Sequence, residues 1–198
     1  MPLFSKTPPS SPNTFRAVVS FAAVSLLTVL SLRAASADSL LPDGTFEQLN
    51  AAGTWPKGWP TSKNVTWETE GSNHFLRLKS AEPGKQVSLY LDVPLTHGVQ
   101  ALELSFLGRV TGLERGEQNW FDARIILNFK DAAGKRLPVH RLPYFSKDTV
   151  DWVPTTLRFK VPETAVSLEI MPTLFKVTNG EFDLDNITLK PADPALVK

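Results

Sequence analysis

The residues best suited to chemistry in this sequence stand on one alternating run. Between positions 120 and 129, Trp120, Asp122, Arg124 and Asn128 share one phase, together with Ile126. Phe121, Ala123, Ile125, Leu127 and Phe129 share the other. Residues two apart on an extended chain point to the same side. The apolar set is therefore expected to face a core and the Trp-Asp-Arg-Asn set to face away from it. A merely solvated face would carry Lys, Thr and Glu, with no Trp. A flat indole gives the apolar C–H side of a sugar ring a surface to stack on, and the planar polar groups can hydrogen-bond its hydroxyls. The same residues also admit a structural reading. Trp120 could cap the core edge after the 111–119 loop, and Asp122 and Arg124 could pair with Glu103 and Arg109 on a neighbouring strand.

Signals for catalysis are scarce. The sequence holds no nucleophile elbow, P-loop, dinucleotide fingerprint or zinc-protease helix. His74, His97 and His140 are isolated, without the spacing of metal ligands. A glycosidase needs only two carboxylates about 5 to 10 Å apart in the fold, which leaves no local motif to find. A jelly-roll polysaccharide lyase would need His or Tyr beside Arg124 on the same strand, and none alternates with it. The expectation is a protein that is not an enzyme. Other aromatic residues are less distinctive. Trp55 and Trp59 lie in a Pro/Gly-rich loop, Trp67 and Trp152 lie beside strands, and Tyr144-Phe145 sits in a Pro-rich loop.

The elements that position these residues are strands. Leu102, Leu104 and Phe106 alternate with Glu103 and Ser105, and Val87, Leu89, Leu91 and Val93 with Ser88, Tyr90 and Asp92. The same period recurs at Leu157, Phe159 and Val161 and at Val166, Leu168 and Ile170. A period of two with one apolar face means strands that each cover one side of a core. Asp131–Gly134, Glu82–Lys85, Thr96–Gly98 and Thr178–Gly180 read as the turns between them. Strands at such spacing, with no helical pattern between them, predict an all-β antiparallel β-sandwich, in the form of a jelly roll.

The N-terminus reads as a signal peptide. Lys6 and Arg16 precede the uncharged apolar stretch Ala17–Leu32, and Ala35-Ser36-Ala37 offers a small-x-small cleavage site. The apolar stretch is short against the roughly 20 residues needed to span hydrocarbon. Cleavage after Ala37 would leave a domain over 38–190 and a flexible tail over 191–198, in a secreted or periplasmic protein with no membrane attachment after cleavage. It would also remove three of the 21 basic residues and none of the 20 acidic ones, giving a net charge of about −2 instead of +1. A near-neutral, mixed-sign surface argues against nucleic acid, which is held through an excess of Lys and Arg. With no cysteine, the domain must be held by its core or by a core plus a metal.

Two terminal segments carry a resemblance. Leu40-Leu-Pro-Asp-Gly-Thr-Phe-Glu47 is followed by Trp55-Pro-Lys-Gly-Trp59, and Gly180-Glu-Phe-Asp-Leu-Asp-Asn-Ile-Thr-Leu189 stands near the end. Together they resemble jelly-roll carbohydrate-binding modules of the family 4/9 and family 22 group, which are galactose-binding-domain-like sandwiches. These often open on N-G-x-F-E…G-W and close on F-x-D-D-V-x-L. The chain departs from them in Asp-Gly-Thr at the opening and in Asn186 where a second Asp is common. The resemblance implies a non-catalytic module that binds a poly- or oligosaccharide on a concave sheet face, alone or beside a glycan-degrading enzyme. On this chain the matching stripe is Trp120, Asp122, Arg124 and Asn128. It also implies a structural Ca²⁺ joining the first and last strands through Glu47 and Asp185. The apolar phase slips at Asp185-Asn186, as a β-bulge would make it. A structural or protein-interaction β-sandwich of the cell envelope remains an open alternative, and so does a polysaccharide-degrading enzyme.

Overall fold

The computed structural model describes residues 39–139 and 142–197. The signal-peptide reading of 1–37, and His140, lie outside the described residues. Among the described residues there are eleven strands: β1 (Val65–Glu70), β2 (Asn73–Lys79), β3 (Val87–Ser88), β4 (Leu91–Pro94), β5 (Ala101–Glu114), β6 (Ala123–Asp131), β7 (Arg136–Pro138), β8 (Tyr144–Phe145), β9 (Val153–Lys160), β10 (Ala165–Leu174) and β11 (Asn179–Pro191). Among the described residues the sole helical element is a 3-10 turn at Pro194–Leu196. It lies within the stretch read as the C-terminal tail.

Two antiparallel sheets pack face to face. One has the order β1-β2-β11-β5-β9. In the other, β10 pairs with β3 and β4 on one side and with β6 on the other, and β7 and β8 line the far side of β6. Inward-facing Leu76, Leu78, Leu102, Leu104, Val110, Phe182 and Leu184 meet Leu89, Ile125, Leu127, Phe129, Leu168, Ile170 and Leu174 in one continuous core. Each such side chain contributes roughly 1.5–3 kcal/mol on burial. The expected antiparallel sandwich is present.

Two expectations about β11 fare differently. Its register against β5 shifts between Asp185 and Thr188, and Asn186 has φ 50°, so the phase slip in the sequence is a bulge. Thr178–Gly180, read as a turn, is not one. Asn179 and Gly180 already belong to β11, where a second register shift falls between Asn179 and Glu181. Gly180, with φ 143°, absorbs that shift, and the chain reverses one step earlier, around Lys176 at φ 53°.

Two local features anchor segments outside the long strands. The N-terminal segment is bound to the bulged end of β11, Leu40 N–H donating to Leu189 O at 2.8 Å and Ile187 N–H to Gly44 O at 3.0 Å. A Cβ on Gly44 would lie 1.8 Å from the backbone oxygen of Ile187, so only glycine allows this approach. Trp59 is buried there against Phe46, and its indole N–H donates to Asp43 O at 2.9 Å. On the opposite side, Phe145 of β8 enters the core against Phe106 and Phe182, in the space left by Gly108. Because neighbours on a strand point opposite ways, an inward Phe145 turns Tyr144 outward.

Candidate functional site

The outer face of the second sheet is built in rows. Ser88, Thr173, Arg124 and Tyr144 are in register across β3, β10, β6 and β8. Met171 and Ile126 form the next row. Asp92, Glu169, Asn128 and Pro138 form the one after it. The alternation of β6 therefore does aim Arg124 and Asn128 away from Ile125, Leu127 and Phe129, all of which are buried.

Three of the four expected residues line one cleft of about 760 Å³, with Arg115, Asn119, Tyr144 and Thr155–Leu157 among the other walls. Trp120 is 50% exposed and Tyr144 64% exposed, so two aromatic rings border this cleft. Trp120 leans on Phe121 edge-on and on Phe175 at a tilt, which holds its ring in place without covering it. β6 begins only at Ala123, so Asp122 stands in the approach to the strand instead of on it. Its carbonyl accepts from Phe175 N–H at 2.8 Å, and the residue is only 3% exposed.

Asp122 and Arg124 pair with each other, Arg124 Nε donating to Asp122 Oδ1 at 2.5 Å. Arg124 Nη2 also donates to Trp120 O, and its guanidinium lies over the Phe175 ring. The anticipated pairing with Glu103 and Arg109 does not form, because β5 belongs to the other sheet. Glu103 instead pairs with Arg158, and Arg109 with Asp183 and Glu70. Burial raises the pKa of Asp122, and the hydrogen bond and charge of Arg124 offset that only in part.

Asn128 shares the face but not the cleft. Its amide donates to Glu169 Oε1 at 3.2 Å, within a network in which Lys130 bridges Glu169 and Asp92 and Arg136 pairs with Glu169. Burial alone would raise the pKa of Glu169; hydrogen bonds from Lys130, Asn128 and Arg136 outweigh it and leave the carboxyl below its ordinary value. Tyr90, in phase with Ser88 and Asp92 and 54% exposed, is a residue that the sequence displayed but gave no reason to single out.

Glu47 and Asp185 come together at the junction of the N-terminal segment and the β11 bulge. Asp185 is buried, and desolvation pushes its pKa up to about 6; hydrogen bonds from Asn73 and Asn186 oppose this, while the negative charges of Glu47 and Asp43 add to it. The oxygens of these carboxylates are engaged by N–H and O–H donors. Glu47 accepts from His74 N–H and meets His74 Nδ1 at 2.6 Å. Asp185 accepts from Asn73 Nδ2 and Asn186 N–H, and Asp43 from Thr45 and Gln48. Among the described residues no three Asp, Glu, His or Cys side chains are grouped to hold an ion. As they stand, these groups do not fit the calcium that the resemblance implies, and no step below runs through it.

No family model matches the chain, and no curated protein matches it. Solved structures do. A family 16 carbohydrate-binding module is 21% identical at a TM-score of 0.52, over 67% of this chain and 90% of that one. The tandem CBM22-1–CBM22-2 domain of Paenibacillus barcinonensis Xyn10C is 17% identical at 0.51, over 83% of this chain and 50% of that one. The enzymatically active domain of Bacteriophage CBA120 tailspike protein 4 is 15% identical at 0.54, but this chain spans only 21% of it. The fold is thus the jelly-roll sandwich found in carbohydrate-binding modules.

Proposed function

We propose that this chain is a non-catalytic carbohydrate-binding module that takes a poly- or oligosaccharide on the outer face of its second sheet. One observation carries the reading: the exposed rings of Trp120 and Tyr144 border the same cleft as the fixed Arg124–Asp122 pair. Stacking on the rings would select a flat sugar face, and the guanidinium, held by the buried carboxylate, would present its remaining N–H groups to hydroxyls. The likeness in fold to carbohydrate-binding modules supports it.

On this face the carboxylates argue against hydrolysis. Asp122 stands about six residues along the sheet from the Glu169 row, roughly 20 Å at strand rise, too far for an acid–base pair. Glu169 and Asp92 are close, but both are bound to Lys130, and Glu169 is held ionised and so is no proton donor near neutral pH. We further propose that the protein works outside the cytoplasm, secreted or periplasmic, alone or beside a glycan-degrading enzyme.

Affinity electrophoresis through gels containing soluble xylan, β-glucan, galactan or mannan tests the reading. Retardation in at least one gel, lost in Trp120→Ala, is expected. Equal mobility of wild type and variant in every gel would favour a structural or protein-interaction sandwich instead.

A further inference from the structure

The same sheet face has a second cleft at its opposite edge. It measures about 530 Å³, and its walls include Tyr90, Ser88, Gln86, Lys63 and Asn64. Its exposed ring is Tyr90, on the side of the chain shared by Ser88 and Asp92. A continuous row joins it to the first cleft. Ser88 lines the second cleft, Arg124 the first, and buried Thr173 stands between them, in register with both. Ser88 Oγ and Thr173 Oγ1 are 2.8 Å apart, and Gln86 Nε2 donates to Ser88 Oγ at 2.7 Å. These hydrogen bonds satisfy the buried hydroxyls between the clefts and tie β3 to β10.

The row crosses four strands, so its ends are about 14 Å apart at ordinary strand spacing. That exceeds a single pyranose ring, yet aromatic rings stand at both ends and none in the middle. A ligand confined to one cleft would leave Tyr90, or Trp120 and Tyr144, without a role. We propose that the ligand is an extended glycan chain lying across the strands and held at both clefts, with Tyr90 the stacking platform of the second. The inference rests on the sugar-binding reading above. It adds that the protein recognises chain segments of several units, with two aromatic contacts linked through one ligand so that the second forms at high effective concentration.

The test is titration calorimetry with xylo-, cello- and β-1,4-galacto-oligosaccharides of two and six units. In the series that binds, the hexamer is expected to bind about tenfold or more tighter than the dimer, a gain of about 1.4 kcal/mol per tenfold. Tyr90→Ala should abolish that gain, so that dimer and hexamer bind alike, and Gln86→Ala should reduce it. Melting curves would establish that both variants are folded. Binding of equal strength at both lengths, or a full hexamer gain in folded Tyr90→Ala, would overturn the two-cleft inference and leave the sugar-binding reading standing. No binding by any series, with no retardation in the polysaccharide gels, would overturn that reading itself.

Discussion

Arg124 and Asp122 are two residues apart in sequence and 2.5 Å apart at Nε and Oδ1, yet only Arg124 belongs to a strand. The carboxylate is buried in the chain's approach to β6 and anchors a guanidinium that faces the cleft. That division of labour sets the first prediction. Asp122→Ala should loosen Arg124 and weaken glycan retardation, and it should also destabilise the fold, since Arg124 would lose the partner of a largely buried pair. Arg124→Ala should lose retardation too. Urea denaturation beside affinity gels checks both; an Asp122→Ala protein with full retardation would show that the pair does not organise the cleft.

Trp120 gives the complementary case. Its ring is half exposed, so Trp120→Ala should lower stability by no more than about 1 kcal/mol, the low end for a single substitution, while reducing glycan affinity about tenfold or more. A large fall in melting temperature would mean that the ring serves the core.

Gly108 tests how the core positions the site. An added Cβ would lie 2.7 Å from the Phe145 ring. Gly108→Ala should cost about 1–3 kcal/mol by overpacking, and by displacing β8 it should move Tyr144 and weaken binding. Urea denaturation and affinity gels on the same protein report both effects; unchanged stability would show that Phe145 yields freely.

Asp185 predicts a pH dependence with a definite sign. Its folded pKa is raised from 3.8 to about 6, so the folded state binds this proton more tightly than the unfolded chain does. The stability this contributes is present in full below about pH 4 and is lost as pH rises through about 6. Glu169 and Glu181, whose pKa values are lowered, act oppositely, their contribution being lost as pH falls below the ordinary carboxylate range. The difference in melting temperature between wild type and Asp185→Asn, followed from pH 4 to 8, isolates the Asp185 effect. A difference that does not vary with pH would contradict it.

The engaged carboxylates around Asp185 also predict that EDTA leaves the melting temperature unchanged and that added Ca²⁺ does not raise it. A clear fall on chelation would show instead that Glu47, Asp43 and Asp185 rearrange to take the ion, since a ligand bound only by the folded state stabilises it by mass action.

The strands were legible because each buries one phase, as Leu102–Phe106 and Ile125–Phe129 show. The bulge at Asp185-Asn186 was legible for the same reason, since a bulge must shift the apolar phase. Partners across the fold were not. Asp122 and Arg124 share a phase with residues of β5 without sharing a sheet, and nothing local distinguishes the two cases. Thr178–Gly180 misled because glycine serves a bulge as readily as a turn. Tyr90 stood in the correct phase, but its cleft beside Ser88 depends on the pairing of β3 and β4 with β10, a register set some 80 residues away along the chain.

The position of β11 has a kinetic consequence. It lies between β2 and β5, the innermost place in its sheet, yet it is the last strand in the sequence. Until it arrives, β2 and β5 each present an unpaired edge, and their core faces, Leu76 and Leu104 among them, lack a neighbour. Closing such distant pairings makes folding slow and leaves edges open meanwhile. The domain can therefore complete itself only after nearly the whole chain is available, and a chain cut before Asn179 should be an aggregating fragment, not a smaller domain.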